Sequence, residues 1–196
     1  MTDEQAFFLG IKPALLANEM YERFDELLTF PHVTDFSPIR YSCTRRMNYK
    51  GWLFFQTEEQ KQEVLKKAEE LGITSIDDIE AERLLGHILG YPPKAVDTYL
   101  QRLKLKQENQ AERKRKEIRE VAMEYYGCVF MCYVEDILEC AKWLWDTYPF
   151  SELDQLLIDH CGEKAKVEFR DFNGLNHLID HLETKIYVES QELLHT

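Results

Sequence analysis

The chain has 196 residues, 44% of them hydrophobic and 31% charged, with a formal net charge of −12. That is enough for one well-buried domain or two small lobes of a soluble globular protein. The acidic balance argues against a general nucleic-acid coat or an anionic membrane surface as partner, while leaving room for a local basic patch.

In chain order, Thr2-Asp3-Glu4-Gln5 predicts a short capped turn ending near Gly10. Pro13 then opens a helix to about Thr29 with Leu16, Met20, Phe24, Leu27 and Leu28 on its apolar side. After a loop bracketed by Pro31 and Pro38 the period changes. Ile39, Tyr41 and Cys43 alternate as in a half-buried strand, and Trp52–Phe55 reads as a second strand. Asn48-Tyr49-Lys50-Gly51 is the hairpin turn between them. Arg40, Arg45 and Arg46 read as solvated charges guarding that edge. Thr57-Glu58-Glu59-Gln60 is a capping box for a helix over 58–71 that stops at Gly72. Ser75-Ile76-Asp77-Asp78 caps the next helix, over 76–89.

The stretch Glu82–Lys104 is the most specific. Leu84, Leu85, Ile88 and Leu89 make one apolar side, and Gly90 falls where a left-handed C-cap is wanted. Pro92 and Pro93 end that helix and begin another over 93–104, with Val96, Tyr99, Leu100 and Leu103 on one face. Gly86, Gly90, Val96 and Tyr99 together resemble a helix-turn-helix DNA-binding unit, most like those of bacterial response regulators and sigma factors, over Glu82–Leu103. The resemblance implies a three-helix unit (58–71, 76–89, 93–104) whose last helix exposes Lys94, Ala95, Asp97, Thr98, Gln101 and Arg102. Lys94 and Arg102 would then suit phosphate or guanine, and Gln101 adenine. Asp97 would need a donor such as the cytosine amine. Leu89-Gly90-Tyr91-Pro92 is also similar to a motif of uncharacterised prokaryotic proteins in which a cysteine pair follows the proline. Lys94-Ala95 stand there instead, so no cysteine chemistry is implied.

From Arg102 to Arg119 there are eight basic residues against three glutamates. Arg113, Lys114, Arg115 and Lys116 could add phosphate contacts, while the spacing Glu112–Lys116 equally fits a solvated helix or a charged linker. Over 118–148 the apolar residues predict one long helix with the stripe Ile118, Val121, Ala122, Tyr125, Val129, Cys132, Ile137, Cys140, Ala141 and Leu144. Around 126–134 it is apolar nearly all round, and is therefore expected to be buried by neighbouring elements or by a second copy of the chain. The apolar run Val121–Val134 contains Glu124 and is too short to cross a bilayer, so no membrane partner is expected. Cys128 and Cys132 at i, i+4 read as buried structural thiols. Five cysteines without a disulfide-scaffold spacing, and no signal-peptide pattern, point to reducing cytoplasm.

The C-terminal part repeats Leu157-Ile158-Asp159-His160 as Leu178-Ile179-Asp180-His181. Each copy reads as a helix end followed by a short strand (165–169; then 186–188), giving a small β-α-β unit. His177 and His181 share a helix face, and with His160 and Cys161 they could hold zinc. They lack the His-Glu-x-x-His pattern, and the expectation is surface histidines with no metal and no cofactor.

The sequence therefore predicts an α+β, mainly α, cytoplasmic protein: a helical bundle with a short N-terminal hairpin and a small C-terminal β-α-β unit. It would form one domain or two lobes, 1–104 and 116–196. No catalytic residue is assigned. The leading expectation is a regulator that binds DNA through Lys94, Thr98, Gln101, Arg102 and 113–116. The competing one is an acidic interaction or inhibitor module that engages a basic partner or mimics nucleic acid.

Overall fold

The computed structural model describes residues 1–34, 51–73, 79–108, 114, 116–150 and 155–193. The described residues form seven α-helices and seven strands, the strands arranged in two antiparallel sheets. This overturns the expected mainly helical bundle. Two compact units divide the chain, one of residues 3–91 and one of residues 92–196 with 1–2. The division falls between Tyr91 and Pro92, inside the expected helix pair. The charged stretch that was to separate the lobes begins more than ten residues later.

In the first unit, α1 (Asp3–Phe8), β1 (Ala14–Ala17), α2 (Phe24–Leu27), β2 (His32–Val33), β3 (Trp52–Phe55), α3 (Glu58–Glu70) and α4 (Ile79–Ile88) follow in order. Strand β3 is central, pairing antiparallel with β1 (Leu15 opposite Phe54) and with β2 (Val33 opposite Leu53). Its unbroken apolar sequence is explained by burial on both faces. Leu53 and Phe55 join Ala68, Leu84, Leu85 and Ile88 of α3 and α4 on one side. Phe54 joins Phe7, Leu15 and Leu27 on the other. The helix expected from Pro13 to Thr29 is thus a strand, a turn and a short helix. Asn18 makes the break: its carboxamide oxygen accepts from the Met20 N–H at 2.9 Å and its carbonyl from the Tyr21 N–H at 3.1 Å. Met20, expected inside, is exposed.

The capping box is present as read. Thr57 accepts from the Gln60 N–H at 3.2 Å, and the Gln60 side chain returns to the Thr57 N–H. Gly72 and Gly90 end α3 and α4 with φ of +63° and +77°. The expected strand at 39–43, its turn at 48–50, Arg40, Arg45, Arg46, the cap at 75–78, Arg113 and Arg115 lie outside the described residues.

The second unit runs α5 (Pro93–Glu108), β4 (Glu120–Tyr125), β5 (Cys128–Tyr133), a 3-10 turn (Val134–Asp136), α6 (Ile137–Thr147), β6 (Leu156–His160), β7 (Glu163–Val167) and α7 (Phe172–Leu193). The sheet order is β5-β4-β6-β7, all antiparallel. The long helix expected over 118–148, and with it the expected helical oligomer face, is replaced by a hairpin, a 3-10 turn and the eleven-residue α6. Tyr126 and Gly127 take φ of +49° and +70°, the two-residue turn whose twist suits a β-hairpin. The period is then two. Val121, Met123, Tyr125, Cys128 and Cys132 face the core, while Val129, on the predicted stripe, is 57% exposed.

The expected β-α-β unit is also overturned. The first Leu-Ile-Asp-His forms strand β6, which turns back through Cys161-Gly162 (φ +53° and +87°) into β7. The second lies inside the continuous helix α7. Among the described residues, no helix is long and apolar enough to cross a membrane.

Candidate cation-binding site on the second unit

Helix α5 opens with Pro93 and packs on β5 and α6. Ala95, Val96, Thr98 and Leu100 are buried while Tyr99 is at the surface. The helix is therefore turned from the expected orientation. Thr98, expected to face a nucleic acid, is 1% exposed. Lys94 reaches Asp136 Oδ1 and Glu139 Oε2, each at 3.8 Å, and Arg102 Nε lies 3.1 Å from Glu120 Oε1. Of the other expected contacts, Gln101 and Lys114 are exposed and Lys116 is half-buried.

The hairpin brings these carboxylates together. Counting outward from the Tyr126-Gly127 turn places Glu120, at the start of β4, directly opposite Tyr133, at the end of β5. The 3-10 turn that follows supplies Glu135 and Asp136, and the first turn of α6 supplies Glu139. Asp136 stands at the α6 N-cap but makes no side-chain bond to its own helix. Arg119 ties Glu135 at 3.0 Å to Glu183 of α7 at 3.2 Å. With Asp97 of α5, which acts electrostatically on Asp136, the described residues gather six carboxylates around three cations.

Two groups register the surplus. Burial raises the pKa of Asp136 above the ordinary aspartate value; Glu135, Glu139 and Asp97 add to the rise and Lys94 opposes it. Burial, then Glu120, raises the pKa of the Tyr133 hydroxyl, with Arg102 opposing. Tyr133 is 6% exposed, and its hydroxyl oxygen, fully enclosed, has no hydrogen-bond partner among the described residues. A buried hydroxyl in that state costs about 1–3 kcal/mol, so it marks a place where a bond is missing.

No family model, curated protein or solved structure matches this chain. The site therefore rests on its own geometry.

Other candidates gather less. His160 is buried and donates Nε2–H to the Ile118 carbonyl at 3.0 Å, with Cys161 Sγ 3.9 Å away. His177 and His181 are exposed on α7. Among the described residues, no group of three or more His, Cys, Asp and Glu comes together that could hold a metal. A hydrogen bond from Lys185, with His181 and His160 nearby, lowers the pKa of Glu163, so the acid there already serves an internal cation. A cleft of about 130 Å3 beside Glu124, Tyr126, Gln155 and Lys166 is well below the roughly 300–1,000 Å3 of small-molecule sites.

Sequence reasoning missed Glu120, Tyr133, Glu135, Asp136 and Glu139 because it laid them along one helix. The signal that could have found them was Tyr-Gly at the centre of an apolar run. That signal is weak, because Asn-Gly or Asp-Gly is the usual two-residue turn.

Proposed function

We propose that this protein is an interaction module whose acidic face, built from α5, the β4–β5 hairpin and the start of α6, takes a basic segment of a protein partner. The observation that carries this reading is the internal use of Lys94 and Arg102. The two cations expected to contact phosphate or guanine are held by carboxylates of their own fold, and the carboxylates of that face still outnumber its cations. A duplex brought to that face would meet a repulsive field, whereas a lysine- or arginine-rich segment would be steered to it. The net charge of −12 acts in the same direction at longer range.

DNA binding is the competing proposal, and what supports it is the exposure of Gln101, Lys104 and Lys114. One experiment separates the two. Fluorescence anisotropy of a labelled basic peptide and of a labelled duplex, each titrated with the full chain at low salt, should show peptide binding that weakens with added salt. Glu135→Lys combined with Glu139→Lys should abolish it. A duplex that binds, and binds less well after Lys104→Ala and Lys114→Ala, with no peptide affinity, would reverse the order of the proposals.

A further inference from the structure

Within the acidic face, Tyr133 is set apart by what it lacks. It ends β5 directly opposite Glu120, and its hydroxyl is enclosed without a hydrogen-bond partner among the described residues. The charged groups that act on it are Glu120, Arg102, Glu135 and Asp136. A phenol can give one hydrogen bond and accept others. With carboxylates around it, the species that would satisfy the hydroxyl oxygen and the neighbouring carboxylates together is a donor carrying positive charge.

We propose that Tyr133, Glu120, Glu135 and Asp136 form an anchor for a single guanidinium, the arginine side chain of a basic peptide segment. This rests on the acidic-face reading and sharpens it. Shape favours guanidinium over ammonium. It is a flat fork of five donors that can engage a carboxylate along one edge and the phenol oxygen with another N–H, whereas an ammonium is a compact charge with three donors and holds its water more tightly. The molecule already uses this chemistry at the spot, where Arg102 Nε meets Glu120 Oε1 at 3.1 Å. Access depends on side chains that can swing. Arg102 and Glu135, two of the charged groups that act on Tyr133, are 40% and 51% exposed, so both can change partner at the surface.

The test uses the full chain and two probes of equal length and charge, hexa-arginine and hexa-lysine, titrated calorimetrically at low salt. The parent should bind hexa-arginine about tenfold more tightly, the size of one additional charge-assisted contact. Tyr133→Phe keeps the ring and removes only the oxygen. It should melt no lower than the parent, bind hexa-lysine as before, and bring the ratio near one. N-acetyl-arginine amide should compete for the same site, weakly, because it carries the fork without the remaining charges. Equal affinity of the parent for both peptides, or an arginine preference that survives Tyr133→Phe, overturns the anchor and leaves the acidic-face reading standing. Binding of neither peptide overturns both.

Discussion

Val129 and Phe130 are neighbours in sequence, and the hairpin gives them opposite fates. Val129 lies on the outer face of β5, 57% exposed and directly opposite Glu124, while Phe130 is turned inward and buried. Full burial of a valine side chain is worth about 1.5–3 kcal/mol, so the minor part that is buried here contributes about 1 kcal/mol. Val129→Lys gives up that contribution but gains an opposite charge across from Glu124, worth about 0.2–1 kcal/mol. The net change should stay within about 1 kcal/mol, a shift of roughly 2–4 °C for a chain of this length. Phe130→Ala removes a buried ring at a cost of about 3–5 kcal/mol, so its melting temperature should fall several times further. Urea and thermal denaturation followed by circular dichroism and by tryptophan fluorescence measure both. Loss of folding in Val129→Lys, or a parent-like Phe130→Ala, would refute the hairpin register and return the segment to the helical alternative.

Thr57→Ala should lower stability by about 1 kcal/mol, because the substitution leaves the Gln60 N–H without its cap; thermal melting checks it, and an unchanged melting temperature would show that α3 does not depend on the box. Asp136→Asn should help more as pH rises. The carboxyl pKa of Asp136 is raised in the folded state, so its contribution to stability is fully present below the ordinary aspartate pKa and is lost as pH climbs through the raised value. Melting curves of parent and variant should therefore coincide near pH 3 and separate by pH 7 with the variant higher; a variant that is lower at pH 7 would mean that the Lys94 contact outweighs the burial of the charge.

The features legible in the sequence are those fixed within a few residues. The Thr57–Gln60 box, the Gly72 and Gly90 stops and the Pro93 start each depend on backbone groups close in the chain, and each stands where the residues placed it. Strand β3 was legible too, since four consecutive large apolar residues are too short a run for a helix and suit a strand covered on both sides. The candidate site was not legible. Its carboxylates come from α5, strand β4, the 3-10 turn, α6 and α7, and their meeting depends on which period 118–148 adopts.

That period shows where local information ends. A dense apolar run such as Val121–Val134 satisfies a helical stripe and an alternating strand equally well, and its single turn carries tyrosine in place of asparagine or aspartate. The choice fell to partners far along the chain: β6 pairs with β4, and Leu157 stands opposite both Glu124 and Lys166. The repeated Leu-Ile-Asp-His makes the same point within one molecule. At 157–160 it is a strand, held by ladders on both sides and followed by two residues that accept positive φ. At 178–181 it lies in a helix whose Leu175, Leu182 and Ile186 face the core at helical spacing. The sequence by itself determined caps, stops and the hydrophobic inventory, because these are set by neighbours within a turn. Only the tertiary structure decided strand or helix for residues that tolerate both, because the hydrogen bonds that tip such a balance come from elsewhere in the fold.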